Sequence, residues 1–309
     1  MDMHISSPST DTSSPPLAPL RVGVVVATLG RAAECADLLE RLALQTQPPQ
    51  AVVISAEKPA DVPAEPTEGV AVIFGPRGLC AQRNRGIAAI AAQCDVIAFF
   101  DDDFLPTRTS IEGLGRLFQD NPDVVGATGD VCADGVGAGG IGLADALAIL
   151  NDYEARGVRP MQVEQKICIA YGCNMAFRVS AMEGRHFDER LPLYGWQEDV
   201  DFAGQLAKVG CIARTRAFGG VHRGVTGARS PGIKIGFSQI VNPLYLARKG
   251  TMRWSHALRI IAGNLLANHA KVFWLKEHID RPGRVCGNWI GLAHVVRGRL
   301  RPETMLDLG

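Results

Sequence analysis

Val96-Ile97-Ala98-Phe99-Phe100-Asp101-Asp102-Asp103 is the stretch on which the reading of this chain turns. Five apolar residues bounded by polar ones read as a buried strand. Three carboxylates at the end of such a strand repel one another, and each loses hydration there. A divalent cation relieves both difficulties, because hard cations take carboxylate oxygens. In open α/β sheets the ligand crevice lies beyond the carboxyl ends of the strands. Asp101 and Asp103, one residue apart, are therefore expected to hold a metal that in turn holds a phosphate. A solvated acidic turn is the alternative.

The flanking sequence supports a sheet. Residues 22–26 are a second buried strand, closed by Ala27-Thr28-Leu29-Gly30-Arg31. Residues 32–45 follow as a helix, with Cys35, Leu38, Leu39 and Leu42 at helical spacing. Val52-Val53-Ile54 and Val70–Phe74 are further strands, and 81–92 is a helix of small residues. Strands alternating with helices predict a mainly parallel sheet with helices on both faces. Beyond the acidic triplet a helix is expected over 110–118 and a short strand near Val124-Val125. The segment 133–142 is rich in glycine and carries Gly135, Gly137 and Gly140 at GxGxxG spacing. A dinucleotide fingerprint belongs directly after the first strand of a βαβ unit, so this segment reads as a loop over a site or an ordinary connection.

A second acidic cluster, Gly195-Trp196-Gln197-Glu198-Asp199-Val200-Asp201-Phe202, opens a helix. Carboxylates at a helix N-terminus are favoured by the free N–H groups alone, which is the bland reading. Adding an acceptor hydroxyl to an electrophile needs a carboxylate base apart from the metal, which is the functional one. Arg83 and Asn84 open the helix before the acidic strand, a place suited to phosphate. His222 lies in Gly219-Gly220-Val221-His222-Arg223-Gly224, where a sharply bent backbone would carry its imidazole to a metal.

The whole chain of 309 residues is neutral, with 32 basic and 32 acidic side chains, but its parts are not. Residues 1–234 carry 21 basic against 28 acidic groups; residues 235–309 carry 11 against 4. Three parts follow: a disordered Ser/Thr/Pro-rich tail over 1–20, an α/β domain over 21–234, and a basic helical extension over 235–309. In the extension Trp254, Leu258, Ile261, Leu265 and Leu266 recur at helical spacing among Arg253 and Arg259. Such a helix either lies in a membrane interface or packs on the first domain. No apolar run reaches the ~20 residues of a membrane span. The eight cysteines form no CxxC pair and read as reduced residues of a cytosolic protein.

Together these segments resemble the family 2 glycosyltransferases, inverting sugar-nucleotide enzymes of GT-A fold and bacterial polysaccharide or glycolipid type. Residues 24–31 resemble the first strand with its Thr-x-x-Arg turn. Residues 78–86 resemble Gly-x-x-x-x-Arg-Asn-x-Gly, and Asp101 to Asp103 the Asp-x-Asp motif. Gly172-Cys173-Asn174-Met175-Ala176-Phe177-Arg178, with Phe187-Asp188-Glu189 and 195–202, resembles the acceptor-side segment ending in Glu-Asp. The resemblance implies a GT-A-type sheet, mixed but mainly parallel, with the helical extension appended. It implies Mn²⁺ or Mg²⁺ on Asp101, Asp103 and His222, and Asp199 as the base with Glu198 beside it. Thr28, Arg31, Glu57, Arg83, Asn84, Asp101 and Asp102 would line the nucleotide-sugar, and Asn174 and Trp196 the acceptor. Glu57 stands in for the acidic pair usual after the second strand. The implied partners are a nucleoside-diphosphate sugar donor and a saccharide or lipid-linked acceptor, with no nucleic acid; the basic extension adds peripheral contact with an anionic membrane as an expectation. The implied location is cytoplasmic or peripheral at the inner face of the cell membrane. The chain lacks the Gln-x-x-Arg-Trp motif and spans of the processive polymer synthases, so one sugar per encounter is expected. The rival readings are a sugar-phosphate nucleotidyltransferase and a non-catalytic nucleotide-sugar binder.

Overall fold

A computed structural model describes residues 18–308, apart from 66–67, 138, 158–162, 168, 226–230 and 273–278. Most of the expected tail, residues 1–17, lies outside the described residues. The chain opens with β1 (Val22–Ala27), α1 (Ala32–Ala43), β2 (Ala51–Ala56), β3 (Val70–Phe74), α2 (Leu79–Ile90) and β4 (Val96–Asp101). These strands lie side by side and parallel in the order β3-β2-β1-β4. Ala27 stands opposite Asp101, so the turns that follow β1 and β4 leave the sheet at the same edge.

The alternation of side chains across a strand divides the interior in two. Val24, Val26 and Phe100 face α1, packing with Leu38 and Phe118. Val25 and Phe99 face the other way, with Phe177, Phe187 and Phe202. The ring of Phe187 stacks on Phe202 at 4.0 Å and meets Phe99 edge-on at 5.4 Å. α2 can lie against β1 because Gly86 has no side chain; a methyl there would run into Val25.

The middle of the chain turns the sheet mixed. It comprises β5 (Phe104–Pro106), α3 (Ser110–Asp120), β6 (Val124–Asp134), α4 (Leu143–Ala155), β7 (Val163–Ile167), β8 (Asn174–Arg178), α5 (Val179–Met182), α6 (Glu198–Leu206) and β9 (Cys211–His222). β8 enters antiparallel between β4 and β6, and β9 runs parallel to β6 and antiparallel to β5 and β7. The strand expected near Val124-Val125 runs on for eleven residues. Its second half is only partly buried, and the strand shifts register against β9 three times along its length, so no regular period marks it in the sequence.

The extension is a helical layer of α7 (Gly232–Lys249), α8 (Trp254–Ala270) and α9 (Arg281–Val296). The expected boundary after 234 falls within the first turn of α7. That helix buries Phe237, Ile240 and Leu246, and Asn242 Nδ2 donates to the Trp196 carbonyl. α7 and α9 run in the same direction and touch through glycine, Gly236 against Arg284 and Gly287 against Ile233. Asn268, Gln239 and Asn288 close the gap between the three helices with buried amide hydrogen bonds of 2.8 and 2.9 Å. Among the described residues no helix is long and apolar enough to cross a membrane.

Candidate functional site

β4 delivers Asp101 at its last residue, and Asp102 and Asp103 form the turn into β5. β5 then pairs with β9 so that Phe104 faces His222, and β6 pairs with β9 so that Asp134 also faces His222. Strand register therefore carries the imidazole to the acidic turn. The sharp glycine bend expected around His222 is not the device, because His222 ends a twelve-residue strand. Glycine acts one step later: Gly224, at φ +64°, packs against Gly135 and Val136, and Gly135 N–H donates to the His222 carbonyl at 2.9 Å. The glycine-rich segment is thereby fastened beside the site.

Ligand atoms of Asp101, Asp103 and His222 lie within 4.8 Å of one another. His222 Nε2 is 3.4 Å from Asp103 Oδ1 and 4.0 Å from Asp101 Oδ2. Its Nδ1 is held 3.2 Å from Asp134 Oδ1, and the Tyr171 hydroxyl donates to Asp134 Oδ2 at 2.7 Å. A carboxylate behind one ring nitrogen turns the other towards a metal, a common support for ligating histidine. Asp134 and Tyr171 were not anticipated from sequence; Asp134 sits in the irregular half of β6. Burial opposes ionisation of Asp134, but His222, the Val136 N–H and Tyr171 hold it at about 2. Burial likewise opposes a charge on His222, yet Asp103 and Asp134 push its pKa well above the ordinary range. Asp103 Oδ1 is buried and lacks a hydrogen bond. Two carboxylates and an imidazole nitrogen suit a divalent cation, which would take the place of the imidazolium proton. Asp134→Asn is expected to weaken Mn²⁺ binding by about 10–100-fold, read by titration calorimetry.

The middle aspartate has another task. Asp102 turns inward, 5% exposed, and accepts from Thr28 Oγ1 at 2.8 Å and Arg31 Nη1 at 2.9 Å. Burial raises its pKa to about 7 against the pull of Arg31. Arg31 also stands 3.2 Å from Asp103 and donates to the Val225 carbonyl. Thr28, Arg31 and Asp102 thus lash the β1 turn to the acidic turn, while also lining a cavity of about 310 Å³. Arg77, Tyr194 and Lys234 complete that cavity, the last supplied by α7. Glu57 is not on its wall: the residue is exposed and the chain folds back over Pro59–Asp61. The acid that reaches the β1 turn is Asp61, fully buried, accepting from Gly30 N–H at 2.9 Å and Lys58 N–H at 3.0 Å.

Asp101 and His222 also border a second cavity of about 540 Å³, with Trp196, Glu198 and Asp199 on its wall and His256 and Ile260 of α8 across from the sheet. The chain enters α6 through Leu193 and Gln197, both at positive φ (55° and 74°), a conformation that neighbouring structure must enforce. Asp199 Oδ2 accepts from Gly172 N–H at 2.9 Å and Oδ1 from its own neighbour Val200 N–H at 2.8 Å. Burial raises the pKa of Asp199, with the backbone donors and Arg83 opposing. Glu198 is pushed up more strongly by burial, though Arg83 pairs with its Oε1.

Arg83 proves to be a link within the protein. It is 2% exposed, pairs with Glu198, and donates to Asp101 Oδ1 at 3.1 Å and the Gly172 carbonyl at 2.9 Å. Its guanidinium rests on Phe187 at 5.4 Å. These donors face protein atoms, while the side chain also lines the wall of the larger cavity. Asn84 is turned away: its amide bonds the Phe187 N–H and carbonyl, both at 2.9 Å, and neither cavity includes it. Helical geometry explains the split, since adjacent residues point about 100° apart. Asn174 is fully buried and donates to the Asp130 carbonyl, so it supports the wall without lining it.

The architecture matches that of S. aureus TarS residues 1–349, at TM-score 0.54 and 12% identity, over 91% of this chain and 82% of that one. The TarS structure in complex with UDP-GlcNAc aligns equally well, at TM-score 0.54 and 13% identity, over 91% and 83%. A mannosyltransferase from Pyrobaculum calidifontis, in complex with GDP-Man and Mn²⁺, aligns at TM-score 0.46 and 15% identity, over 96% and 81%. No curated protein matches at a significant level. The profile of Glycosyl transferase family 2 matches residues 24–185, more than half of the sequence and including the acidic turn. This mixed α/β fold is that of the GT-A glycosyltransferases, and the chain belongs to glycosyl transferase family 2.

Proposed function

We propose that this protein moves one sugar per encounter from a nucleoside-diphosphate sugar to a hydroxyl of a saccharide or lipid-linked acceptor, with inversion at the anomeric carbon. One observation carries the reading: Asp101 and His222 of the Asp101, Asp103 and His222 cluster border the same cavity as the Asp199 carboxylate, and Arg83 joins Asp101 to Glu198 beside it. The donor's nucleotide fits the smaller cavity, where Arg77 and Lys234 add positive charge for a diphosphate. That the same fold holds UDP-GlcNAc in TarS supports this choice of ligand. Mn²⁺ or Mg²⁺ on Asp101, Asp103 and His222 would supply neutralising charge for the departing diphosphate.

The chain's own residues do the rest. Asp199 takes the acceptor proton while the acceptor oxygen bonds to the anomeric carbon. The bond from that carbon to the diphosphate oxygen breaks, and its electron pair stays on the diphosphate. Two backbone N–H groups fix the Asp199 carboxylate, and its raised pKa improves it as a base. Glu198 anchors Arg83, which keeps Asp101 and the base helix at a constant separation. The test is a thermal-shift comparison of UDP, GDP, dTDP and CMP with and without Mn²⁺. One diphosphate is expected to stabilise the protein only with metal, and its sugar conjugates to be turned over. Pyrophosphate released from a nucleoside triphosphate and a sugar phosphate would favour the nucleotidyltransferase instead.

A further inference from the structure

We infer that the outer face of α8 and α9 docks on an anionic lipid surface; the consequence drawn for the acceptor rests on the transferase reading above. On α8, Trp254, Leu258, Ala262 and Leu266 recur at every fourth residue and so share one face, roughly 18 Å long. Trp254 is 53% exposed, Leu258 57% and Leu266 72%. A helix packed on a water-soluble protein puts such residues inward and polar ones outward. Here the inward positions, Ala257 and Ile261, are apolar as well. α9 adds Trp289 at 62% and Val296 at 87% exposure. The Trp289 ring lies 6.0 Å from that of His269 at the end of α8, so the two apolar sets adjoin. Contiguous exposed apolar surface of this kind marks a contact site.

Charge selects the occupant. No Asp or Glu occurs from Arg253 to Lys271 or from Arg281 to Arg301, while those two segments carry eight Lys and Arg. A second copy placed face to face would set this positive charge against itself. An anionic bilayer complements it, and tryptophan favours the headgroup level of a membrane. The opposite side of α8 carries His256 and Ile260, which line the cavity that holds Asp199. A helix with its side chains is about 10–12 Å across. Docking by the outer face therefore holds the cavity within about one helix diameter of the lipid. An acceptor sugar whose anchor stays in the bilayer would reach Asp199 from there.

Flotation of the full chain on sucrose gradients tests this, with phosphatidylcholine vesicles and with vesicles containing roughly 30 mol% phosphatidylglycerol. Flotation is expected with the anionic vesicles and much less with the neutral ones. Leu258→Glu combined with Leu266→Glu should lower the floating fraction at least about tenfold, with melting and the nucleotide–Mn²⁺ response unchanged. Arg259→Glu combined with Arg299→Glu, which leaves the apolar face intact, should lower it as well. Absence of flotation on anionic vesicles, or equal flotation by the leucine variant, overturns the inference. So does a dimer in light scattering that the leucine variant abolishes. Because the nucleotide response needs no vesicles, its loss with flotation intact would count against the transferase reading alone.

Discussion

Asp199→Asn is expected to lower kcat by about 10²–10⁴-fold while leaving metal-dependent nucleotide binding unchanged. Asparagine keeps the shape of the side chain and can accept one of the two backbone N–H groups that hold Asp199, from Gly172 and Val200. It has no affinity for the acceptor proton. The donor cavity, lined from Thr28 to Lys234, does not include residue 199, so donor binding has no reason to change. The same residue sets the pH dependence. Burial raises the Asp199 pKa, so the basic form is lost earlier on acidification than for an ordinary aspartate. In the wild type kcat should fall as pH drops through a value higher than that of an ordinary aspartate, and the variant's residual rate should lack that limb. Steady-state kinetics over pH, beside a nucleotide thermal shift, separate the base from a merely structural residue. Loss of nucleotide binding together with turnover would place Asp199 in the donor site.

Asp103→Asn should act on the other half of the reaction. Supporting groups behind a metal ligand are worth about 10–100-fold in affinity or activity, so loss of a direct carboxylate ligand should exceed about 100-fold. The site chosen is the one whose Oδ1 is buried without a hydrogen bond, while Oδ2 accepts from Val225 N–H at 2.8 Å. Burial opposes the charge on Asp103, but His222 and Arg31 keep the carboxyl below its usual pKa. The amide removes the negative charge that a cation needs and retains the link to Val225. Nucleotide stabilisation in the variant should therefore become indifferent to Mn²⁺ and to EDTA. A variant that still shows the wild-type dependence on Mn²⁺ removes Asp103 from the metal site.

The sequence by itself determined the strands at 22–26 and 96–100, the alternation with helices, and the acidic turn at the sheet's edge. Apolar runs and helical spacing are local signals, written in consecutive residues, and they survive without knowledge of partners. The same holds for the absence of carboxylates from α8 and α9. The supports of the site were a different matter. Asp134 faces His222 only because β6 and β9 pair with three shifts of register, across about ninety positions of sequence. Asp61 reaches the β1 turn only after a short helical turn reverses the chain, so that Glu57, nearer in sequence, is left in solvent. Arg83 reads as an anion-binding arginine at a helix start, and its pairing with Glu198, far along the chain, shows only in the fold. Tertiary structure decided these points because a buried charged side chain goes to whichever hydrogen-bond donor or opposite charge shares its burial, and that neighbour is set by strand register and helix packing.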